Sequence, residues 1–274
     1  METGRRVTVK MTNNTQLHTI SKKLSIQVCL DGLSFFTQNT NTKECTSYKT
    51  IAFEKKADPT SLLTEVMHIF ETHDELKETF SNVEVIYSNH LFTLVPEAIF
   101  DADKLTDYLK FNTKMLTTDF VAYDRIEPHD IVTVYIPYTN INNFFFDTFG
   151  AFDYYHGMSL FIKRILDQET QYEQPRVHIH VHKKSFDIVV VQKKKLILAN
   201  AFDFYSKEDF LYYILFTLEQ LELNPDTIEV ILTGHIQKTD SAFELAYTYI
   251  RNIEIKENSD THIPTSDYIL STLL

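Results

Sequence analysis

The stretch NVEVIYSNHLF, from Asn82 to Phe92, returns in residue type as TIEVILTGHIQ, from Thr227 to Gln237, with no gap from Val83 against Ile228 to His90 against His235. Two further matches keep the same order. Ala52-Phe53-Glu54 answers Ala201-Phe202-Asp203, and Ser34-Phe35 answers Ser185-Phe186, at spacings that drift by only a few residues. Ordered matches at nearly constant spacing point to an internal duplication, and so to two related lobes.

Each half carries the same run of elements. Two β-rich runs flank Asp31-Gly32 in LSIQVCLDGLSFFTQ, where the Asp-Gly pair predicts a type I′ hairpin, and Tyr48 to Glu54 supplies a third strand. Asp58-Pro59 then starts a helix with Leu62, Leu63, Val66, Ile69 and Phe70 at helical spacing, and Val83 to Tyr87 reads as a strand. In the second half Arg176 to Val181, Phe186 to Gln192 and Leu196 to Phe202 read as strands. Ser206, with Glu208 and Asp209 behind it, caps a helix through Leu221, and Ile228 to Leu232 closes the set. Between the repeats the pattern predicts a helix over 101–112, strands over 119–126 and 131–138, a helix over 140–149, a strand over 152–156 and a helix to Leu166. The domain reading is a loose tail over 1–20, a first lobe over 21–168, a polar linker over 169–175 and a second lobe over 176–257. An apolar C-terminal segment over 258–274 is expected to pack on the first lobe.

Composition removes several function classes. A net charge of -12 argues against sequence-independent nucleic-acid binding, which is driven by phosphate neutralisation. Two cysteines, Cys29 and Cys45, are not a disulfide framework, and a cytoplasmic location is expected. The richest apolar run, Phe210 to Leu218, is too short to span a membrane and reads as a buried helix, so no membrane insertion is expected. The chain has five glycines, and its nearest pair, Gly150 and Gly157, lies seven residues apart. Phosphate-cradling loops need clustered glycines so that backbone N–H groups can converge on the anion, which excludes Walker-type and Rossmann-type loops. No nucleophile elbow, H-E-x-x-H or C-x-x-C occurs.

Several residues are candidates for a site. Asp31 with Gly32 could hold a metal-bound phosphate or simply turn the chain. His178, His180 and His182 alternate with apolar residues, so their imidazoles share one strand face. They either share a metal or make a polar face toward an interlobe cleft or solvent. His90 and His235 follow the matched strands, either near a ligand at the strand ends or as turn caps. Lys183-Lys184 and Lys193-Lys194-Lys195 sit at opposite ends of one hairpin and cannot form a single anion site. With 15 Tyr and 21 Phe, dense around Phe144-Phe145-Phe146 and Tyr154-Tyr155, most rings are expected in the core, and any exposed ones mark a partner surface.

A three-strand meander followed by helix, strand and helix, present twice with a cleft between, resembles the actin-like ATPase superfamily, which includes actin, sugar kinases and Hsp70. Leu94-Val95-Pro96 and the run from Val134 to Leu166 are similar to the cytoplasmic actin-like scaffold proteins of pilus and type II secretion machinery. Over residues 21–257 the chain is also similar to an uncharacterised bacterial family assigned an actin-like ATPase fold. The resemblance implies an α/β fold of two RNase H-like lobes with mixed sheets (βββαβα). It places Asp31-Gly32 at the first phosphate loop, His182-Lys183-Lys184-Ser185 at the second, and Thr233-Gly234-His235 at the adenosine segment. The glycines those loops require are mostly gone, which argues against ATP hydrolysis by the family mechanism. The expectation is a binding or scaffold protein with protein partners, a second copy of the chain among them, and no cofactor. The competing reading is a nucleotide-dependent ATPase or kinase that binds Mg-ATP through Asp31, Lys183 or Lys184, and Gly234.

Overall fold

The structure, a computed structural model, describes residues 21–54, 57, 58, 60–111, 113, 115, 116, 119–168, 173–258 and 262–274. The tail expected over 1–20 and the linker positions 169–172 lie outside the described residues.

The first lobe opens with β1 (Lys22–Cys29), β2 (Gly32–Asn39), β3 (Cys45–Ala52), α1 (Ser61–Thr72) and β4 (Asn82–Tyr87). It continues through β5 (Phe92–Pro96), α2 (Leu105–Leu109), β6 (Ala122–Ile126), β7 (Ile131–Tyr135), α3 (Thr139–Phe149), β8 (Asp153–His156) and α4 (Gly157–Gln168). The second lobe holds β9 (Arg176–Val181), β10 (Ser185–Gln192), β11 (Lys195–Asp203), α5 (Lys207–Gln220), β12 (Glu229–Gly234), α6 (Ser241–Tyr249) and β13 (Asn252–Ile255). The two five-stranded sheets have the same plan, β3-β2-β1-β4-β8 and β11-β10-β9-β12-β13. In each, the first three strands pair antiparallel and the last two join in parallel. A small antiparallel sheet, β5-β7-β6, is inserted between β4 and α3.

Strand parity decides which residues meet. In β1, Leu24, Ile26 and Val28 point to the core formed with α1 and α3, while Ser25 and Gln27 point the other way and are also buried. In β9 and β10, Val177, Ile179, Val181, Phe186, Ile188 and Val190 join the core beneath α5 and α6. The opposite faces of the two sheets meet a central layer made of α4 and the C-terminal segment. There Phe36 and Ile86 of the first lobe and Val189 and Val191 of the second cluster with Phe161, Ile165, Ile263, Tyr268 and Leu270. The Arg164 guanidinium lies 3.9 Å from the Tyr268 ring centroid and donates to Tyr268 O at 2.8 Å and Ser271 Oγ at 2.6 Å. Tyr48 OH donates to Asp267 at 2.5 Å, and Lys23 Nζ to Leu273 O at 2.5 Å.

Several expected elements differ in detail. Asp58 starts α1 by accepting from the N–H groups of Thr60 and Ser61 at 2.8 and 2.9 Å. The helix expected over 101–112 is a 3₁₀ turn at Ala102–Lys104 followed by the short α2, because Lys104 leaves helical geometry at ψ 23°. The strand expected over 131–138 stops at Tyr135, two residues before Pro137, which has no N–H to give a ladder. The run Phe210 to Leu218 is not buried all round: Phe210, Leu211, Ile214 and Leu218 are, but Tyr212 is 60% and Phe216 42% exposed. At Asp31-Gly32 the hairpin forms without a type I′ turn, since Gly32 is already the first residue of β2 and has no positive φ. Its small size serves packing there, because a Cβ would lie 2.7 Å from Ile51 O. The positive-φ pair that suits a type I′ turn is Lys193-Lys194, at φ 50° and 60°.

Candidate functional site

Three chain segments turn toward one another where the lobes face. The β1–β2 turn brings Leu30 and Asp31, the β9–β10 turn brings His182, Lys183, Lys184 and Ser185, and the end of β4 brings Ser88 to Leu91. With Tyr138 and the start of α4 they line a cleft of about 540 Å³. That volume is within the ~300–1,000 Å³ of ordinary small-molecule sites.

The floor of the cleft is fixed by hydrogen bonds. His156 Nδ1 accepts from the Met158 N–H at 3.2 Å, so the proton sits on Nε2, which donates to Asn89 O at 3.1 Å. Burial lowers the His156 pKa to about 4, and the ring is neutral. Asn89 ties the same corner further, donating to Ile136 O at 2.9 Å and accepting from the Leu91 N–H at 2.8 Å. Gly157 opens α4 hard against β4, where a Cβ would lie 2.7 Å from Ser88 Oγ. The start of α4 is held by Asp124 from the inserted sheet. One carboxylate oxygen accepts from the His156 N–H at 2.8 Å and Ser159 Oγ at 2.7 Å, and the other accepts from Tyr135 OH at 3.0 Å.

On the opposite wall, His182 Nε2 lies 3.0 Å from Asp187 Oδ2. Burial opposes the charge on each group, and the mutual attraction wins: the His182 pKa is raised and the Asp187 pKa lowered. Each member of the pair therefore favours the charged form of the other. His90 Nδ1 and Asp203 Oδ2, one from each lobe, come within 3.9 Å across the cleft. The Cys29 thiol lines the same cleft, but burial, with Asp31 nearby, pushes its pKa up to about 12, so it remains a thiol.

The sequence candidates separate in space. Asp31, Lys183 and Lys184 line the main cleft. Gly32 lines an adjoining recess of about 130 Å³ with Asp31, Lys183, His235 and Asp267. Gly234 lines neither; at φ +95° it ends β12 under β9, where a Cβ would lie 2.1 Å from Val181 O. His178, His180 and His182 share one strand face, yet only His182 reaches the cleft. His180 packs at 5.8 Å from the Phe161 ring and donates through Nδ1 to Thr233 Oγ1 at 3.1 Å, because that hydroxyl is itself committed to Ile179 O. Burial and the neighbouring His182 charge hold its pKa well down, leaving a neutral ring whose Nε2 has no hydrogen-bond partner. Among the described residues no group of three or more His, Cys, Asp or Glu side chains is arranged to hold a metal. The Lys193–Lys195 turn lies at the far end of β10 from the cleft.

Asp187, His156 and Asp124 were not among the candidates. Asp187 did leave a signal, as a lone carboxylate among the apolar residues of SFDIVVVQ. Asp124 and His156 left none, because their partners are distant in sequence.

Comparison with solved structures bears on the fold. A Bacteroides thetaiotaomicron protein with actin-like ATPase fold and unknown function superposes with a TM-score of 0.83 at 20% identity, over 93% of this chain and 96% of that chain. The PilM–PilN type IV pilus biogenesis complex gives 0.57 at 11% identity, over 92% of this chain and 97% of that one. The cytoplasmic domain of EpsL, an inner membrane component of the type II secretion system of Vibrio cholerae, gives 0.48 at 10% identity, over 92% and 93%. No curated protein matches the chain. The fold is that of the actin-like ATPases, and no helix among the described residues is long and apolar enough to cross a membrane. The profile of the family described as "Protein of unknown function (DUF3822)" matches residues 11–253, and the chain belongs to that family.

Proposed function

We propose that this chain is a cytoplasmic binding or scaffold protein that keeps the two-lobed actin-like frame without hydrolysing ATP. The observation that carries this reading is the β9–β10 turn. Where the fold's phosphate chemistry calls for a small-residue turn of open N–H groups, this turn presents His182, Lys183 and Lys184, and His182 is committed to Asp187. Several polar groups of the cleft are held by neighbours, His182 by Asp187 at 3.0 Å and His156 by Asn89 O at 3.1 Å. A protein partner is in keeping with PilM, which is found in a complex with PilN. Exposed Tyr205, Tyr212, Phe216, Tyr247 and Tyr249 on and around α5 and α6 offer aromatic surface for such contacts.

A second reading, a nucleotide-dependent ATPase or kinase using Mg-ATP, is favoured by one observation: Asp31 and the Lys183-Lys184 pair face one cleft of ligand size. Thermal unfolding with and without millimolar Mg-ATP, Mg-ADP and Mg-GTP separates the two. A ligand at about 100 times its Kd stabilises the native state by ~2.7 kcal/mol. In a chain of this size that is a shift of roughly 5–10 °C. The scaffold reading expects no shift and no hydrolysis. Hydrolysis that disappears in Asp31→Ala would sink it.

A further inference from the structure

Away from the interlobe cleft, a second groove of about 560 Å³ opens where the inserted sheet faces the second lobe. Its walls are two strand edges. β5 is the outer strand of the β5-β7-β6 sheet and β11 the outer strand of the second-lobe sheet. Both line the groove through consecutive residues, Leu94 to Pro96 on one side and Lys194 to Ala199 on the other, so the groove meets backbone as well as side chains. Among the described residues no backbone hydrogen bond reaches the outer edge of β11. Pro96 removes one donor from the five-residue β5, whereas the nine-residue β11 has no proline and is the longer edge able to pair.

Three features make the β11 edge a receptor for a particular kind of chain. The register against β10 shifts between Val190 and Val191, so that Ile197 is the extra residue of a bulge, and its side chain is 48% exposed. Bulges re-aim side chains at such edges. Leu94, Ile131, Leu196 and Ala199 line the groove and belong to or pack against the apolar layer between the lobes. The charge at the β11 end is one-sided: Lys193 is paired with Glu173 at 2.9 Å, whereas Lys194 and Lys195 have no acidic partner among the described residues. Asp130, the one carboxylate in the lining, is on the β6–β7 turn.

We propose that the β11 edge takes an extended segment of a partner protein as an added strand, one in which apolar residues alternate with Asp or Glu. Its backbone pairs with β11, its apolar side chains enter the groove beside Ile197, and its carboxylates meet Lys194 and Lys195. This inference deepens the scaffold reading and rests on it.

The test is selection from a phage-displayed library of random linear peptides against the full chain, followed by hydrogen exchange with the selected synthetic peptide. The expected peptides alternate apolar and acidic residues and slow amide exchange over Lys195–Asn200. They lose about tenfold in affinity to the Lys194→Glu/Lys195→Glu chain and to Ile197→Ser, with unfolding midpoints unchanged. Peptides that bind without protecting β11 and ignore these substitutions overturn the site while leaving the scaffold reading standing. A selection that enriches nothing also overturns it, as does a wild-type dimer that the double charge reversal dissociates, since that assigns the edge to a second copy. Nucleotide hydrolysis, measured on the same protein, strikes the scaffold reading alone.

Discussion

Gly234 occupies the position that the resemblance assigns to adenosine binding, and Gly234→Ala tests what the residue is for. An ideal Cβ there would lie 2.1 Å from Val181 O, 2.7 Å from Val181 N and 2.9 Å from Val181 C. All three atoms are backbone of the neighbouring strand, and the same Val181 O accepts from the His235 N–H at 2.6 Å, so the clash cannot be relieved by turning a side chain. The positive φ of +95° adds about 1–3 kcal/mol of backbone strain for any residue with a Cβ. Overpacking adds another ~1–3 kcal/mol. Gly150 is the control, since it has φ +76° but no heavy atom within 4 Å of its ideal Cβ. Gly150→Ala therefore carries the backbone cost alone, and Gly234→Ala is expected to be about 2 kcal/mol worse in urea unfolding at pH 7, with no ligand present. If the two substitutions cost the same, the packing explanation fails, and a glycine held for close approach of a ligand becomes the better account.

Two further substitutions probe the cleft walls. Asp187→Asn leaves His182 buried without its counter-charge and is expected to cost about 3–5 kcal/mol. The wild-type pair should also shape the pH profile. The raised His182 pKa contributes stability that is complete below the unfolded value near 6.5 and is lost as pH rises through the folded value. The lowered Asp187 pKa contributes stability present above the unfolded value near 3.8 and lost as pH falls through the folded value. Other carboxylates with lowered pKa keep an acid slope in both proteins, so the reading is the difference between their urea midpoints: the destabilisation by Asp187→Asn should be largest between the two folded pKa values and shrink toward either side. A difference that does not vary with pH would refute the ion pair. Asp124→Asn keeps one acceptor for three donors, the His156 N–H, Ser159 Oγ and Tyr135 OH, and is expected to cost roughly 2–4 kcal/mol with slower closing of α4 seen as faster amide exchange in its first turn. Loss of stability without any change in that turn would contradict its role as an anchor.

The lobes were legible because repetition and strand parity are local properties of the text. Alternation in RVHIHV placed three imidazoles on one face, and the alternation of Leu24, Ile26 and Val28 with Ser25 and Gln27 gave β1 two different faces. Elements with little pattern were missed: β5 and the four-residue β13, which takes its place from pairing with β12, while the nine-residue α6 came only with the βββαβα resemblance and not from its own residues. Turn chemistry misled at Asp31-Gly32: the turn residues are Leu30 and Asp31, neither at positive φ, and the positive-φ pair lies in a different hairpin, at Lys193-Lys194 between β10 and β11. The site itself was half legible. Asp31, Lys183 and Lys184 do meet at one cleft, but what His182 does there depends on hairpin register, which brings Asp187 across from His180 and within reach of His182. Asp124 depends on the inserted sheet folding back onto α4, a contact with no local signature.

The inner faces of the sheets explain why the frame does not depend on the residues of its turns. Each central strand, β1 and β9, shows apolar residues to its own lobe and polar ones to the layer between the lobes. That layer is filled: α4 and the C-terminal segment pack against both sheets, and Arg164, Tyr48 and Lys23 tie the segment down by hydrogen bonds. A rotation of one lobe against the other would have to separate Phe36 and Ile86 from Val189 and Val191 through close-packed side chains, and such interiors deform in discrete steps, not gradually. The frame's rigidity thus comes from this layer, whereas a phosphate-binding chemistry would come from the turns. The two are built by different residues, so the side chains at the β9–β10 turn, His182, Lys183 and Lys184, shape the cleft without touching what holds the lobes together.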